Sequence, residues 1–265
     1  MAKFEPKDIR SVAIAGHGTS GKTTLLEALL AAAGAIKKPG SVDEGSTVTD
    51  FDAYEKETKH SIDIGLAYVE HGGSRTYLVD TPGYPDFIGN AISGLSAVDT
   101  ALIAVDAQDG VRVNTRQVWE QAGKLGLARA IVVTRLDLEH AKWEERIEEI
   151  RETFGEACVP FTRPAGGTVG SGFAGVEAVL PTEGDPGDAA SAIVERAVET
   201  DDELMMRYLD GETIGAEELG TAVHAAIRSG HIVPIFATAA ERGAGVPELL
   251  EAFATLFPRA DERRW

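Results

Sequence analysis

The residues Gly16-His17-Gly18-Thr19-Ser20-Gly21-Lys22-Thr23 combine glycines, a lysine and a hydroxyl at the spacing GxxxxGK[ST]. Glycines at these positions let successive backbone N–H groups curl round an anion, and a helix starting at Lys22 would add its positive dipole end. Lys22 would then reach the outer phosphates of a nucleoside triphosphate, the Thr23 hydroxyl would ligate Mg²⁺, and Thr24 joins the loop as a nucleotide-binding candidate. His17 lies inside the loop, as a ligand contact or, the reading we favour, as packing for the loop. Further on, Asp80-Thr81-Pro82-Gly83 follows an apolar run. An aspartate there can hold Mg²⁺ through water, and the Gly83 N–H can sense a terminal phosphate.

Two later stations bear on the base. In Thr134-Arg135-Leu136-Asp137, Asp137 can accept two hydrogen bonds, from the N1–H and exocyclic amine of guanine. Adenine lacks both donors and would leave the carboxylate unpaired. The Arg135 stem can lie along one face of the base. Ala237-Thr238-Ala239 follows the last apolar run, where a backbone N–H could meet the guanine carbonyl, so Thr238 and Ala239 join the candidates. A segment able to order and disorder around the γ-phosphate is expected over Gly45–Ile64, which is polar and poorly periodic. Within it, Ser61 is the preferred hydroxyl for completing a Mg²⁺ shell, ahead of Thr58.

These stations need a scaffold that brings them to one edge. Five short apolar runs read as buried parallel strands: Ser11–Ala15, Thr76–Val79, Thr100–Val105, Ala128–Val133 and Ile232–Phe236. Ile62–Val69 alternates and suits an antiparallel edge. Helical patterns cover Lys22–Ala33, Asn114–Leu125, Ala141–Phe154 and Val246–Leu256. This alternation predicts an α/β fold, a mostly parallel doubly wound sheet with an antiparallel edge strand. Ligands of such sheets sit at the carboxyl ends of the strands, where every station above falls. The rhythm breaks over 155–230, with a Gly-rich stretch, an acidic Pro/Gly link over 182–188 and helical patterns at Ala189–Leu209 and Ala216–Ser229. We read 1–154 with 231–265 as the nucleotide-binding domain and 155–230 as an inserted α+β subdomain.

Composition narrows the partners. With 43% hydrophobic and 26% charged residues, the chain is that of an ordinary globular protein. A net charge of −18 repels a phosphate backbone, so sequence-specific nucleic-acid binding is not expected. No apolar stretch approaches the ~18 residues of a membrane span, and a cytoplasmic monomer is expected. Cys158 is the sole cysteine, which excludes an internal disulfide, and it reads as a small buried hydrophobe. Trp119, Trp143 and Trp265 are isolated and form no stacking platform, while His224 and His231 read as structural.

Taken together, these residues resemble a translational GTPase, specifically the G domain of bacterial elongation factor G with its G′ insertion, over nearly the whole chain. GHGTSGKTTLLEALL is similar to that family's phosphate loop and first helix, and DTPGYPDF to its DTPGHxDF. ETDDELMMRYLDG, IVPIF and GVPELLEAF are similar to the end of G′ and the closing helix. The resemblance implies GTP and GDP as ligands with Mg²⁺, hydrolysis to GDP and phosphate, and action on the ribosome in elongation or recycling. It also implies a contact between the insertion and a ribosomal-stalk protein. The family's later domains are absent here, so a domain cut from a longer factor, or a truncated form of one, is expected.

The departures define the open question. Tyr84 stands where the family has the histidine that orients the attacking water, as in divergent elongation factor G-like paralogues with Tyr after DTPG. A phenol with an unperturbed pKa near ~10 is a poor base at neutral pH, although its hydroxyl is still able to position water. Thr19 replaces a usual aspartate, and Thr134 cannot reproduce the hydrogen bonds of the usual asparagine. Lys22, Gly83 and Tyr84 are therefore the catalytic candidates, with slow hydrolysis expected. The alternative is a GTP-gated binding module with little turnover. An adenine-nucleotide enzyme is disfavoured by Asp137.

Overall fold

The computed structural model describes residues 4–179 and 187–262. Most of the acidic link over 182–188, and Trp265, lie outside these described residues.

The apolar runs pair as one seven-stranded sheet. Its strands are β1 (Ile9–Gly16), β2 (Gly65–His71), β3 (Ser74–Asp80), β4 (Thr100–Asp106), β5 (Ala128–Thr134), β6 (Cys158–Pro160) and β9 (Val233–Ala237), in the order β2-β3-β1-β4-β5-β9-β6. Only β2 runs antiparallel, against β3. The remaining pairs are parallel, so β1, β3, β4, β5 and β9 end at one edge. A second, small sheet pairs β7 (Thr162–Pro164) with β8 (Val176–Ala178).

Side chains of successive strand residues alternate between two apolar layers. Val12 and Ile14 face α1 (Lys22–Ala32) and α9 (Val246–Thr255) through Leu25, Leu29, Leu249 and Phe253. Ala13 and Ala15 face α3 (Ile88–Ser96), α4 (Val113–Lys124) and α5 (Glu144–Phe154) through Leu95, Val118 and Ile150. Helices on both faces explain why the central strands are apolar throughout.

The segment 155–230 shares this core. Its helices are α6 (Gly187–Val198), α7 (Asp202–Leu209) and α8 (Ala216–Ser229). Ile193 and Ala197 of α6 and Val223 and Ile227 of α8 belong to the same apolar layer as Leu25 and Phe253. Cys158–Pro160 pairs with Val233–Ile235 at the sheet edge, where Pro160 is tolerated because an edge strand can spare a donor. The pattern expected as one helix over Ala189–Leu209 is two helices. Asp201 interrupts it by capping α7, its Oδ1 accepting from the N–H of Glu203 and of Leu204. A further short helix, α2 (Ala53–Thr58), lies inside the segment expected to be irregular, started by a capping box of Asp52 and Glu55.

Candidate functional site

The loop after β1 is closed by its own side chains. Gly21 takes φ 76°, a left-handed conformation that brings α1 in at a sharp angle and that a side chain would strain. Thr19 is also left-handed, at φ 65°, and its hydroxyl donates to the Gly18 carbonyl. Ser20 Oγ and Lys22 Nζ both donate to the His17 carbonyl, at 2.8 and 2.7 Å. Lys22 is only 7% exposed, and burial, opposed by Asp80, pushes its ammonium down to about 8. Burial also lowers the His17 imidazole, whose Nδ1 is buried without a partner. This fits a packing role for His17 within the loop.

Beside the loop lies a cluster made of oxygens. Asp80 ends β3 opposite Ile14, which sets its carboxylate next to the start of α1. Thr23 Oγ1 and Thr49 Oγ1 donate to Asp80 Oδ2 at 2.8 and 3.1 Å, while Oδ1 is buried with no partner. Burial is the main cause raising the Asp80 carboxyl to about 6, with Lys22 pulling the other way. Ser61 Oγ lies 3.3 Å from Thr23 Oγ1 and donates to Asp50 Oδ1 at 2.7 Å. Thr47 holds the other Asp50 oxygen. Thr58 is elsewhere, its hydroxyl donating to the Tyr54 carbonyl within α2.

Hydroxyls and carboxylates at this density suit a hard cation such as Mg²⁺, and the unpartnered Asp80 Oδ1 is an acceptor such an ion would satisfy. Among the described residues no group of three or more His, Cys, Asp or Glu is arranged to hold a metal.

The turn after β3 crosses directly over the loop. Thr81 N–H and Oγ1 both bond the Ile14 carbonyl, and the Gly83 carbonyl accepts from the buried Asn114 side chain at 2.7 Å. A Cβ on Gly83 would meet Lys22 Nζ and lie 2.6 Å from the Gly18 nitrogen, so only glycine fits. Tyr84 lays its ring against Gly18 and, at 4.7 Å between centroids, against His60. Lys22, Thr23, Ser61, Gly83, Tyr84 and His60 all line one cleft of about 670 Å³, within the range of small-molecule pockets.

Asp137 sits at the other end, in a smaller hollow walled by Gly21, Thr24, Thr134, Arg135, Ala240 and Glu241. The two hollows share Gly21, Thr24, Arg135, Ala240 and Glu241. Arg135 is left-handed at φ 60°, and its Nη1 is held by Asp106 Oδ2 at 2.9 Å, which fixes the stem beside Gly21. The Thr134 hydroxyl faces the carbonyls of Ser20 and Val105, at 2.9 and 3.3 Å, and so ties the loop to β5. Thr238 and Ala239 are fully buried. Their N–H groups donate to the carbonyls of Val133 and Ala244. Ala240 and Glu241 form the wall instead. Ala240 opens a one-turn 3-10 helix, so its N–H has no acceptor within that helix.

The model of the elongation factor Tu GTP binding domain matches residues 7–259. The chain belongs to this family. Membership in the elongation factor Tu GTP-binding domain family carries guanine-nucleotide binding, and GTP hydrolysis as the family's general activity. Elongation factor G-like proteins of Mycobacterium tuberculosis and Thermotoga maritima are 36% and 34% identical to it, over 96% and 92% of this chain. A mitochondrial ribosome-releasing factor 2 from Bos taurus is 30% identical over 97% of the chain. The chain spans 37% of the length of each of these relatives. A crystal structure of a Thermus thermophilus protein superposes with a TM-score of 0.87 at 36% identity, covering 96% of this chain and 41% of that one.

Thr49, Asp50, His60, Asn114 and Ala240 also stand at the candidate site, where the motifs did not point. The run Thr47-Val48-Thr49-Asp50 offered a weak signal, since hydroxyls beside a carboxylate are what a Mg²⁺ neighbourhood uses.

Proposed function

We propose that this domain binds GTP and GDP with Mg²⁺, hydrolyses GTP slowly by itself, and serves as the nucleotide switch of an elongation factor G-like protein acting on the ribosome. The observation that carries the reading is geometric: the buried Lys22 shares one cleft with Thr23 and Ser61, beside the Asp80 carboxylate, which accepts from Thr23 and leaves Oδ1 buried without a partner. Burial drives the ammonium down and the carboxyl up, each toward its neutral form. A phosphate beside Lys22 and a cation beside Asp80 would relieve both, and a metal–nucleotide complex brings the two together.

Lys22 and the loop amides hold the phosphates, Thr23, Ser61 and Asp80 hold the ion, Gly83 reads the terminal phosphate, and Asp137 with Arg135 reads the base. Mg²⁺ supplies charge neutralisation at the phosphate oxygens. Residues 155–230 are proposed to act as an insertion that contacts protein, since α7 leaves Met206 and Leu209 exposed. A ribosomal-stalk protein is the proposed partner there. The domain is proposed to be a cytoplasmic monomer. Among the described residues no helix is long and apolar enough to cross a membrane.

The test is phosphate release from GTP, with and without Mg²⁺ and with and without ribosomes. Mg²⁺-dependent release, slow alone and accelerated by ribosomes, is expected. Tight GTP binding with no release under either condition would favour a nucleotide-gated binding module instead.

A further inference from the structure

Residue 84 offers a phenol in place of an imidazole, and beside it the same cleft holds His60, an imidazole with a ring nitrogen able to accept from an attacking water. Lys59, left-handed at φ 58°, ends α2 and turns the chain so that His60 enters the cleft shared by Lys22, Gly83 and Tyr84. There the imidazole stacks at a tilt of 50° on Tyr84, with Phe87 at 6.2 Å on the same side. Tyr84 in turn rests on Gly18 of the phosphate loop. His60, Tyr84 and the loop backbone thus form three layers at the phosphate end of the site.

The tautomer of His60 follows from its contact. Its Nδ1 lies 2.9 Å from the Thr58 carbonyl, which can only accept. In the neutral ring Nδ1 therefore carries the hydrogen, which leaves the Nε2 lone pair as the ring's acceptor. The next residue, Ser61, is tied to Asp50, and this limits how far the segment can swing.

We propose that His60 Nε2 orients the attacking water for GTP hydrolysis, and that Tyr84 is the positioning residue that holds the imidazole in place through its ring. The inference rests on the GTPase reading above. In the step, the water oxygen forms a bond to the γ-phosphorus as the bond from phosphorus to the β–γ bridging oxygen breaks. That electron pair leaves on the β-phosphate of GDP. The water's protons end on the released phosphate and the solvent, and His60 neither takes up nor gives up a proton in the step. Its contribution is to point the water's lone pair at phosphorus, an orientation effect.

The test compares single-turnover hydrolysis with nucleotide affinity in the full 265-residue chain. His60→Phe keeps the stacked ring and removes both nitrogens. It is expected to bind GDP within threefold of wild type and to hydrolyse GTP at least tenfold more slowly. His60→Gln, whose amide oxygen can accept from water, should recover part of that loss, a rescue that a purely structural role would not give. Tyr84→Ala, which removes the ring that the imidazole rests on, should fall toward the His60→Phe rate. Wild-type turnover in His60→Phe, or in Tyr84→Ala, overturns the inference and leaves the GTPase reading standing. No hydrolysis by the wild-type protein, even with ribosomes, removes both.

Discussion

Replacing Asp137 by alanine is expected to weaken GDP binding at least a hundredfold and to erase the preference for guanine over adenine. Asp137 and Glu241 are the carboxylates lining the small hollow, and Asp137, in the loop directly after β5, is the one assigned to both guanine donors. Each hydrogen bond to a charged group contributes about 1.5–3 kcal/mol, so losing two reaches a hundredfold readily. Discrimination falls with affinity, because adenine's penalty is the unpaired carboxylate that the variant no longer has. Calorimetric titration of the variant with GDP and ADP checks this. A GDP affinity within threefold of wild type would mean that the base binds elsewhere or is held mainly by Arg135 and the Ala240 wall.

Lys22→Met is expected to lower GTP hydrolysis by about a hundredfold to a thousandfold, the usual effect of removing one preorganised charge from a reacting group. It also has a signature without nucleotide. The folded protein releases the Lys22 proton near 8, the unfolded chain near 10.5. Between those values the unfolded state holds more protons, so the stability of the free protein rises with pH across that window. Lys22→Met should flatten this rise. Thermal unfolding at pH 8, 9 and 10 reads it directly. An identical pH dependence in variant and wild type would mean that the ammonium is not buried as described.

The phosphate loop and the turn at Asp80–Gly83 were legible because their chemistry forces residue types at fixed spacing, directly after apolar strands. The parallel sheet was legible for a related reason: strands covered on both faces must be apolar throughout. α3 was not. Its sequence contains Gly89 and Gly94, poor helix formers. Yet Gly94 is required because a Cβ there would lie 2.8 Å from Thr81 Cγ2. β6 is three residues long with a proline, too short for periodicity to register, and only its pairing with β9 defines it. Thr49, Asp50 and His60 lie far in sequence from the motifs they join. Their segment closes over the site through long-range hydrogen bonds, such as Thr49 to Asp80, which no local pattern encodes.

Thr134 and the Thr238–Ala239 pair show the limit of matching by position. By position Thr134 reads as an asparagine lost from the base site, whereas its hydroxyl braces the phosphate loop through Ser20. Thr238 and Ala239 occupy the expected place in sequence, but β5 takes the N–H of Thr238 and the turn carbonyl of Ala244 that of Ala239, which leaves the wall to the residues just beyond. Sequence order located the strand end correctly, and burial decided which residues beyond it could meet a ligand.

The most direct test of the account is calorimetric titration of the nucleotide-free domain with GDP, GTP and ATP in the presence of Mg²⁺. Micromolar or tighter binding of both guanine nucleotides, with no heat from ATP, is the expected result. Failure to bind any of the three, or a preference for ATP, would contradict it.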